Sequence, residues 1–363
     1  MNQHLNREKL NELLQAEQVD QLTPAQLEAF VLTEKEIHTF APDGICQTDP
    51  RNGDRIVYNS ARARRPHDNK AETTGDNGIQ AEKACRICDG LTTRVVDVAE
   101  LSEGFTFINK NLFPIFYPES NVKYHVQSNL PVMGNLVHGV HFLQWTSSYH
   151  ERDWHNMPQA DRIIVLQRMA ALESKLLEES GGYVSIIKNY GQLVGGSLTH
   201  GHQQIGASNI LPNRIRQDQV YMTEHDETFN DYMLRENPQV LLIKDYGPAV
   251  LLTPYFMRRP FDMQLILKDN TKSHLFDLSE DELAAVADGW QDAIRIMLTI
   301  MPQIGRETAY NVTTHNTDGA GLYFEFLPYT QEMGGFEHLG LYLCQGNPSA
   351  AAEMARKTLE RYE

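Results

Sequence analysis

Two stretches of this chain read as copies of one another, and that duplication most constrains the fold. The first runs from FTFINKNLFPIFYP through GVHFLQWTSSYH and the helix-like MPQADRIIVLQRMAALESKLLEE to YVSIIKNYGQLVGGSLTHGHQQIGAS. The second runs from VLLIKDYGPAVLLTPY through PFDMQLILKD and LSEDELAAVADGWQDAIRIML to YNVTTHNTDGAGLYFEFLPY. Each reads strand, strand, helix, strand, Gly-rich loop, strand, over roughly 120–150 residues. The expected class is α/β (α+β), with two related halves of antiparallel sheet flanked by helices.

The boundaries follow. Residues 1–40 carry Leu at helical spacing, and Thr23-Pro24 reads as an N-cap with Pro at the first helical position, so a helical extension is expected. The first half covers 41–235 and the second 236–363. Asn52-Gly53 between strand-like residues predicts a hairpin. The polar stretch 66–83 predicts an exposed loop.

Charge narrows the partners. The formal net charge is -16, which disfavours nucleic acid but allows a small phosphorylated substrate held by local arginines. No apolar run reaches the ~18 residues of a membrane span. The first residues, MNQHLNREKLNELLQ, lack an apolar signal region, so a cytoplasmic location is the default expectation.

The chemistry concentrates in Gly195-Gly196-Ser197-Leu198-Thr199-His200-Gly201-His202-Gln203-Gln204. In a strand, His200, His202 and Gln204 share one face. An imidazole can attack phosphorus and later leave, so a His suits covalent carriage of a nucleotidyl group. Gln204 offers an uncharged donor for a phosphate oxygen, and the glycines allow close backbone approach. Taken alone, a His-x-His is more often a pair of satisfied structural histidines. Cys85-Arg86-Ile87-Cys88 is open among a zinc site, a redox pair and no special role.

These segments resemble the galactose-1-phosphate uridylyltransferase family, a branch of the histidine triad superfamily whose motif is His-x-His-x-Gln. Asp49–Arg55 with Ser60–Pro66 resembles the family's N-terminal signature, and the likeness covers residues 45–220 well and 240–345 weakly. It implies His202 as nucleophile assisted by Gln204. It implies a structural zinc on Cys85, Cys88, His150 and His200, with His155 as the alternative ligand to His150. Arg62 and Arg65 match arginines near the diphosphate. Phe107 and Asn109 match positions at the base and ribose; Asn189, Gly195 and Ser197 match positions near phosphate. A homodimer is implied as well.

The resemblance fails in the second half. A second metal site of relatives would fall at Asp218, His315, Tyr323 and Glu325, where two of four ligands are lost or changed, so a second metal is doubtful. In the stretch EHLGLYLCQG, which should hold hexose contacts, an expected Lys is absent and His338 lies near its position. The implied activity is transfer of a nucleoside monophosphate between a nucleotide sugar and a sugar 1-phosphate. The alternatives are a phosphorylase using inorganic phosphate, a hydrolase, and a non-catalytic nucleotide-binding protein.

Overall fold

The structure is a computed structural model that describes residues 3–33, 37–42, 44–59, 85–118, 134–178 and 182–362. Arg62 and Arg65, and the stretch 66–83, lie outside the described residues.

The first half contributes β3 (Val95–Glu100), β4 (Phe105–Lys110), β6 (Gly139–Trp145), helix α3 (Gln159–Leu177), β7 (Tyr183–Tyr190) and β8 (His202–Ser208). The second contributes β9 (Leu242–Asp245), β10 (Ala249–Leu252), β11 (Met263–Leu267), helix α6 (Glu280–Gln303), β12 (Tyr310–Asn316) and β13 (Leu322–Pro328). They form one ten-stranded sheet in the order β3-β4-β6-β8-β7-β12-β13-β11-β10-β9. The order is a palindrome in which each strand mirrors its repeat partner. Every neighbouring pair in this order is antiparallel, and β7 meets β12 at the seam with Tyr190 opposite Tyr310. Those two rings stack at 5.0 Å and 8°.

Both long helices cover the same face. Ser279 caps α6 in a reciprocal box with Glu282, and Val286, Trp290, Ile294 and Met297 recur at helical spacing on its buried side. Trp290 lies against Phe324 and Phe326 of β13 and, 4.7 Å away, Trp154 before α3. Trp290 is fully buried, so Trp290→Ala would cost about 3–5 kcal/mol.

Helices α1 (Arg7–Leu13) and α2 (Pro24–Leu32) form as the sequence predicts, with Thr23 in a capping box and Pro24 at the first turn. They are woven into the cores, with Leu5, Leu10, Val19, Leu27 and Val31 fully buried. The hairpin also forms: β1 (Ile45–Thr48) pairs with β2 (Arg55–Val57) and with the short β5 (Asn135–Leu136). Gly53 supplies its turn at φ 80°, where a Cβ would meet Arg216 and Asn213.

Helices α4 (Asn213–His225) and α5 (Phe229–Glu236) run up to the boundary expected at 235 and contact strands of the second half. Asn230 of α5 donates to the carbonyls of Leu267 (3.2 Å) and Leu322 (2.9 Å). Met233 is buried with Val250, Ile266 and Tyr323. No helix among the described residues is long and apolar enough to cross a membrane.

Candidate metal centre and nucleotide pocket

The face of the first half opposite α3 carries the site. Strand β8 starts at His202, so His200 belongs to the bend before the strand rather than to the strand itself. The chain turns there and aims His200 at the cysteines. Its Nδ1 stands 3.5 Å from the Cys85 sulfur and 3.6 Å from that of Cys88. Its Nε2–H donates to the Ser147 carbonyl at 2.8 Å, which leaves Nδ1 as the ligand atom.

The ligand atoms of Cys85, Cys88, His150 and His200 all lie within 4.8 Å of one another. Zinc–sulfur and zinc–nitrogen bonds of about 2.3 and 2.05 Å at tetrahedral angles place sulfur and nitrogen about 3.5 Å apart. The two separations from His200 Nδ1 to the sulfurs meet that requirement, and the Cys2His2 donor set suits zinc. His155, the alternative ligand, is not in this group. Its carbonyl accepts from Arg295 at 2.9 Å, and burial lowers its pKa. A hydrogen bond from the Cys88 thiol holds Cys85 well below the usual thiol range and Cys88 well above it.

The second histidine is held differently. His202 Nδ1–H donates to the His200 carbonyl at 2.8 Å. That bond fixes the tautomer and leaves Nε2 with no hydrogen bond among the described residues. Burial, helped by the nearby Lys188 ammonium, pushes the His202 pKa down to about 4, so the ring is neutral at pH 7. The Trp145 indole, 5.0 Å away, packs on its other side.

Beneath the strand sits a buried ion pair that the sequence reading did not anticipate. Lys188 Nζ lies 2.8 Å from the Asp153 carboxylate, and both are buried. Burial opposes the Asp153 charge, but Lys188 outweighs it and keeps the carboxyl below its usual pKa. Lys188 also donates to the His202 carbonyl at 3.4 Å. A Cβ on Gly201 would lie 2.6 Å from the Asp153 carboxyl carbon, so only glycine fits between the two histidines. The sequence signal was a lone Lys inside the apolar run YVSIIKNY.

His202 opens onto a cavity lined in part by Ile87, Leu91, Phe113, Leu143 and Leu198. Arg86, Ser197 and Gln204 line it too. None of those three side chains has a hydrogen-bond partner among the described residues, so an apolar slot with three converging donors faces the imidazole. Arg86 was overlooked as a site residue, although it lies inside the Cys-x-x-Cys.

Other expected residues stand outside this lining. Phe107 is fully buried and stacks on Trp145 at 6.1 Å. Asn109 is also buried; its Oδ1 accepts from the Trp145 indole at 3.0 Å and its amide donates to Thr92. Both prop the indole that supports His202. Asn189 accepts from Asn311 across the seam at 2.7 Å. Gly195 sits at φ 85°, ending the turn before Ser197.

On the second half, Tyr323 and Glu325 face the same side as His202 and Gln204 do on the first. His315 bonds Asp218 at 2.6 Å through Nδ1 and Glu325 at 3.2 Å through Nε2. Arg214 and Arg258 contact the same Glu325 carboxylate at 3.1 and 3.0 Å. Both ring nitrogens of His315 thus serve carboxylates, and guanidinium groups occupy the cationic role around Glu325. Burial pulls the His315 pKa down, but Asp218 and Glu325 outweigh it and raise it to about 9. Among the described residues only the Cys/His group has metal-binding geometry.

No family model matches the chain. It is 22% identical to the ADP-glucose phosphorylase of Arabidopsis thaliana over 329 residues, 85% of this chain and 91% of the relative. It is 23% identical to a probable galactose-1-phosphate uridylyltransferase of Drosophila melanogaster over 247 residues, 64% of this chain and 68% of the relative. Among solved structures, a uridylyltransferase superposes with a TM-score of 0.68 at 18% identity, covering 88% of this chain and 99% of that one. In sequence the chain is thus similar to an ADP-glucose phosphorylase and a probable galactose-1-phosphate uridylyltransferase, and it shares its fold with a uridylyltransferase.

Proposed function

We propose that the chain is a nucleotidyltransferase carrying a nucleoside monophosphate on His202. The observation that supports this most directly is the neutral ring of His202, with Nδ1 bound to the His200 carbonyl and Nε2 left to the cavity. In the first half-reaction Nε2 attacks the α-phosphorus of a nucleoside diphosphate sugar. A nitrogen–phosphorus bond forms, the bond to the bridging oxygen breaks, and the sugar 1-phosphate leaves with that electron pair. In the second, an oxygen of a phosphate acceptor attacks the same phosphorus and the imidazole leaves neutral. Gln204 and Ser197 donate to the non-bridging oxygens, and Arg86 offsets charge at the mouth.

Cys85, Cys88, His150 and His200 would hold a zinc ion, which supplies rigidity because all four positions are filled by protein. The proton stays on His202 Nδ1, hydrogen-bonded to the His200 carbonyl, throughout, so no general base is needed. By the same reading the chain acts as a homodimer in the cytoplasm on nucleotide sugars.

The acceptor has two readings. A hexose 1-phosphate makes the enzyme a hexose-1-phosphate uridylyltransferase-like transferase. Inorganic phosphate makes it a nucleotide-sugar phosphorylase. The second is favoured by the named phosphorylase relative, which aligns with 85% of the chain, and by the changed hexose segment.

One experiment separates these. The protein is incubated with UDP-, ADP- and GDP-sugars and its intact mass recorded. A gain of one nucleoside monophosphate, absent in His202→Gly, is the expected result and names the base. Discharge by phosphate or by hexose 1-phosphate then names the acceptor. No gain with any donor overturns the transferase reading and leaves a binding protein.

A further inference from the structure

Residues 3–5 of this chain, for which the sequence resemblance offered no counterpart, touch the segments that bear the candidate zinc ligands. The Gln3 side-chain oxygen accepts from the Cys85 backbone N–H at 3.1 Å. The Gln3 carbonyl accepts from the His150 N–H at 3.0 Å, and the Leu5 N–H donates to the Ser148 carbonyl at 2.9 Å. Between them the His4 ring stacks on Tyr149 at 4.9 Å, and His4 and Tyr149 form an isolated antiparallel bridge.

The partners are not incidental. Cys85 opens a knuckle that runs to Gly90 with no regular strand or helix of its own. The segment 147–150 contributes His150 and also the Ser147 carbonyl that orients His200. Leu5 is fully buried in one cluster with Cys85, Ile87 and Cys88. It stands 3.7 Å from where a Cβ on Gly90 would lie, and Gly90 turns the knuckle at φ 74°.

We propose that residues 3–5 act as a strap that positions the metal centre, with Gln3 as its positioning residue. Gln3 ties the cysteine knuckle to the His150 segment, two ligand-bearing loops that share no strand. Leu5 fills the space behind the thiolates. Ligands fixed before the ion arrives, and kept from swinging apart afterwards, release it slowly. The strap therefore governs how long zinc stays bound. This inference rests on the zinc reading above.

The test uses the full chain loaded with zinc and mixed with excess chromophoric chelator. Gln3→Ala and Leu5→Ala are expected to release zinc roughly tenfold faster than wild type. Leu27→Ala, a buried change in α2 within the other core, is the control for general loosening and should release at the wild-type rate. Wild-type rates in both Gln3→Ala and Leu5→Ala would overturn the proposal, as would equal acceleration in Leu27→Ala. A wild-type chain that takes up no zinc refutes the zinc reading, and this one with it.

Discussion

The carbonyl oxygen of His200 accepts the Nδ1–H of His202 at 2.8 Å, so the residue placed to ligate metal also orients the candidate nucleophile. His200 is held from three directions: by Ser147, by the cysteine sulfurs and by the edge of Trp145. Its backbone is therefore a fixed acceptor. Replacing His202 with Asn should remove covalent capture of nucleotide and lower turnover at least about a thousandfold. Intact mass and isotope exchange check it, and an adduct that survives in His202→Asn would move the nucleophile elsewhere.

Metal loss should act on the same ring. Cys88→Ser removes one of four donors, so bound zinc should fall well below one per chain. Structural zinc contributes folding energy directly, so the thermal midpoint should drop too. Elemental analysis with a melting curve reads both, and unchanged metal content would contradict the Cys2His2 assignment.

Lys188 and Asp153 form a buried pair, and breaking it leaves an uncompensated charge. Lys188→Met should destabilise the protein by about 3–5 kcal/mol. Lys188→Met with Asp153→Asn should recover part of that. Urea denaturation of both proteins gives the comparison, and a double variant weaker than the single one would refute the pairing argument.

His315 makes stability depend on pH. Its folded pKa, about 9, lies above the ordinary 6.5. Its contribution is therefore full below pH 6.5 and lost as pH rises through 9. His274, raised to about 9 by Glu173 and Asp318 against the opposing effect of burial, adds a term of the same sign. The wild-type thermal midpoint should fall between pH 6.5 and 9.5. His315→Gln should be less stable at pH 6.5 and fall less steeply. Parallel curves would show that His315 is neutral throughout.

Arg86 lines the cavity with no side-chain partner among the described residues, in an acidic protein. Arg86→Gln should raise the nucleotide concentration for half-maximal labelling of His202 by roughly tenfold, with little change at saturation. Added salt should weaken wild type more than the variant. Titration of the mass adduct at two ionic strengths measures this.

Much of this arrangement was legible in the chain. The repeat order follows from hydrophobic periodicity, because a strand–strand–helix–strand–strand unit cannot bury its face alone. The convergence of Cys85, Cys88, His150 and His200 came only through resemblance, since the CxxC by itself left several roles open. What escaped the sequence was set by tertiary packing. Phe107 and Asn109 look like ligand contacts but lie under Trp145, because in a sheet covered on both faces each alternate residue faces a core. Helices α4 and α5 follow the first half in the chain yet cover the second. Nothing local to Gln3 foretold its bond to Cys85, 82 positions away.

The join between β7 and β12 carries a last consequence. Neither half owns a finished inner border, since each closes the other's ladder through Tyr190, Asn189, Tyr310 and Asn311. A polypeptide truncated after residue 236 would leave β7 as a bare edge, and such an edge seeks another strand. Two truncated copies, pairing their β7 edges antiparallel about a two-fold axis, would rebuild the mirror with a His202 on either side.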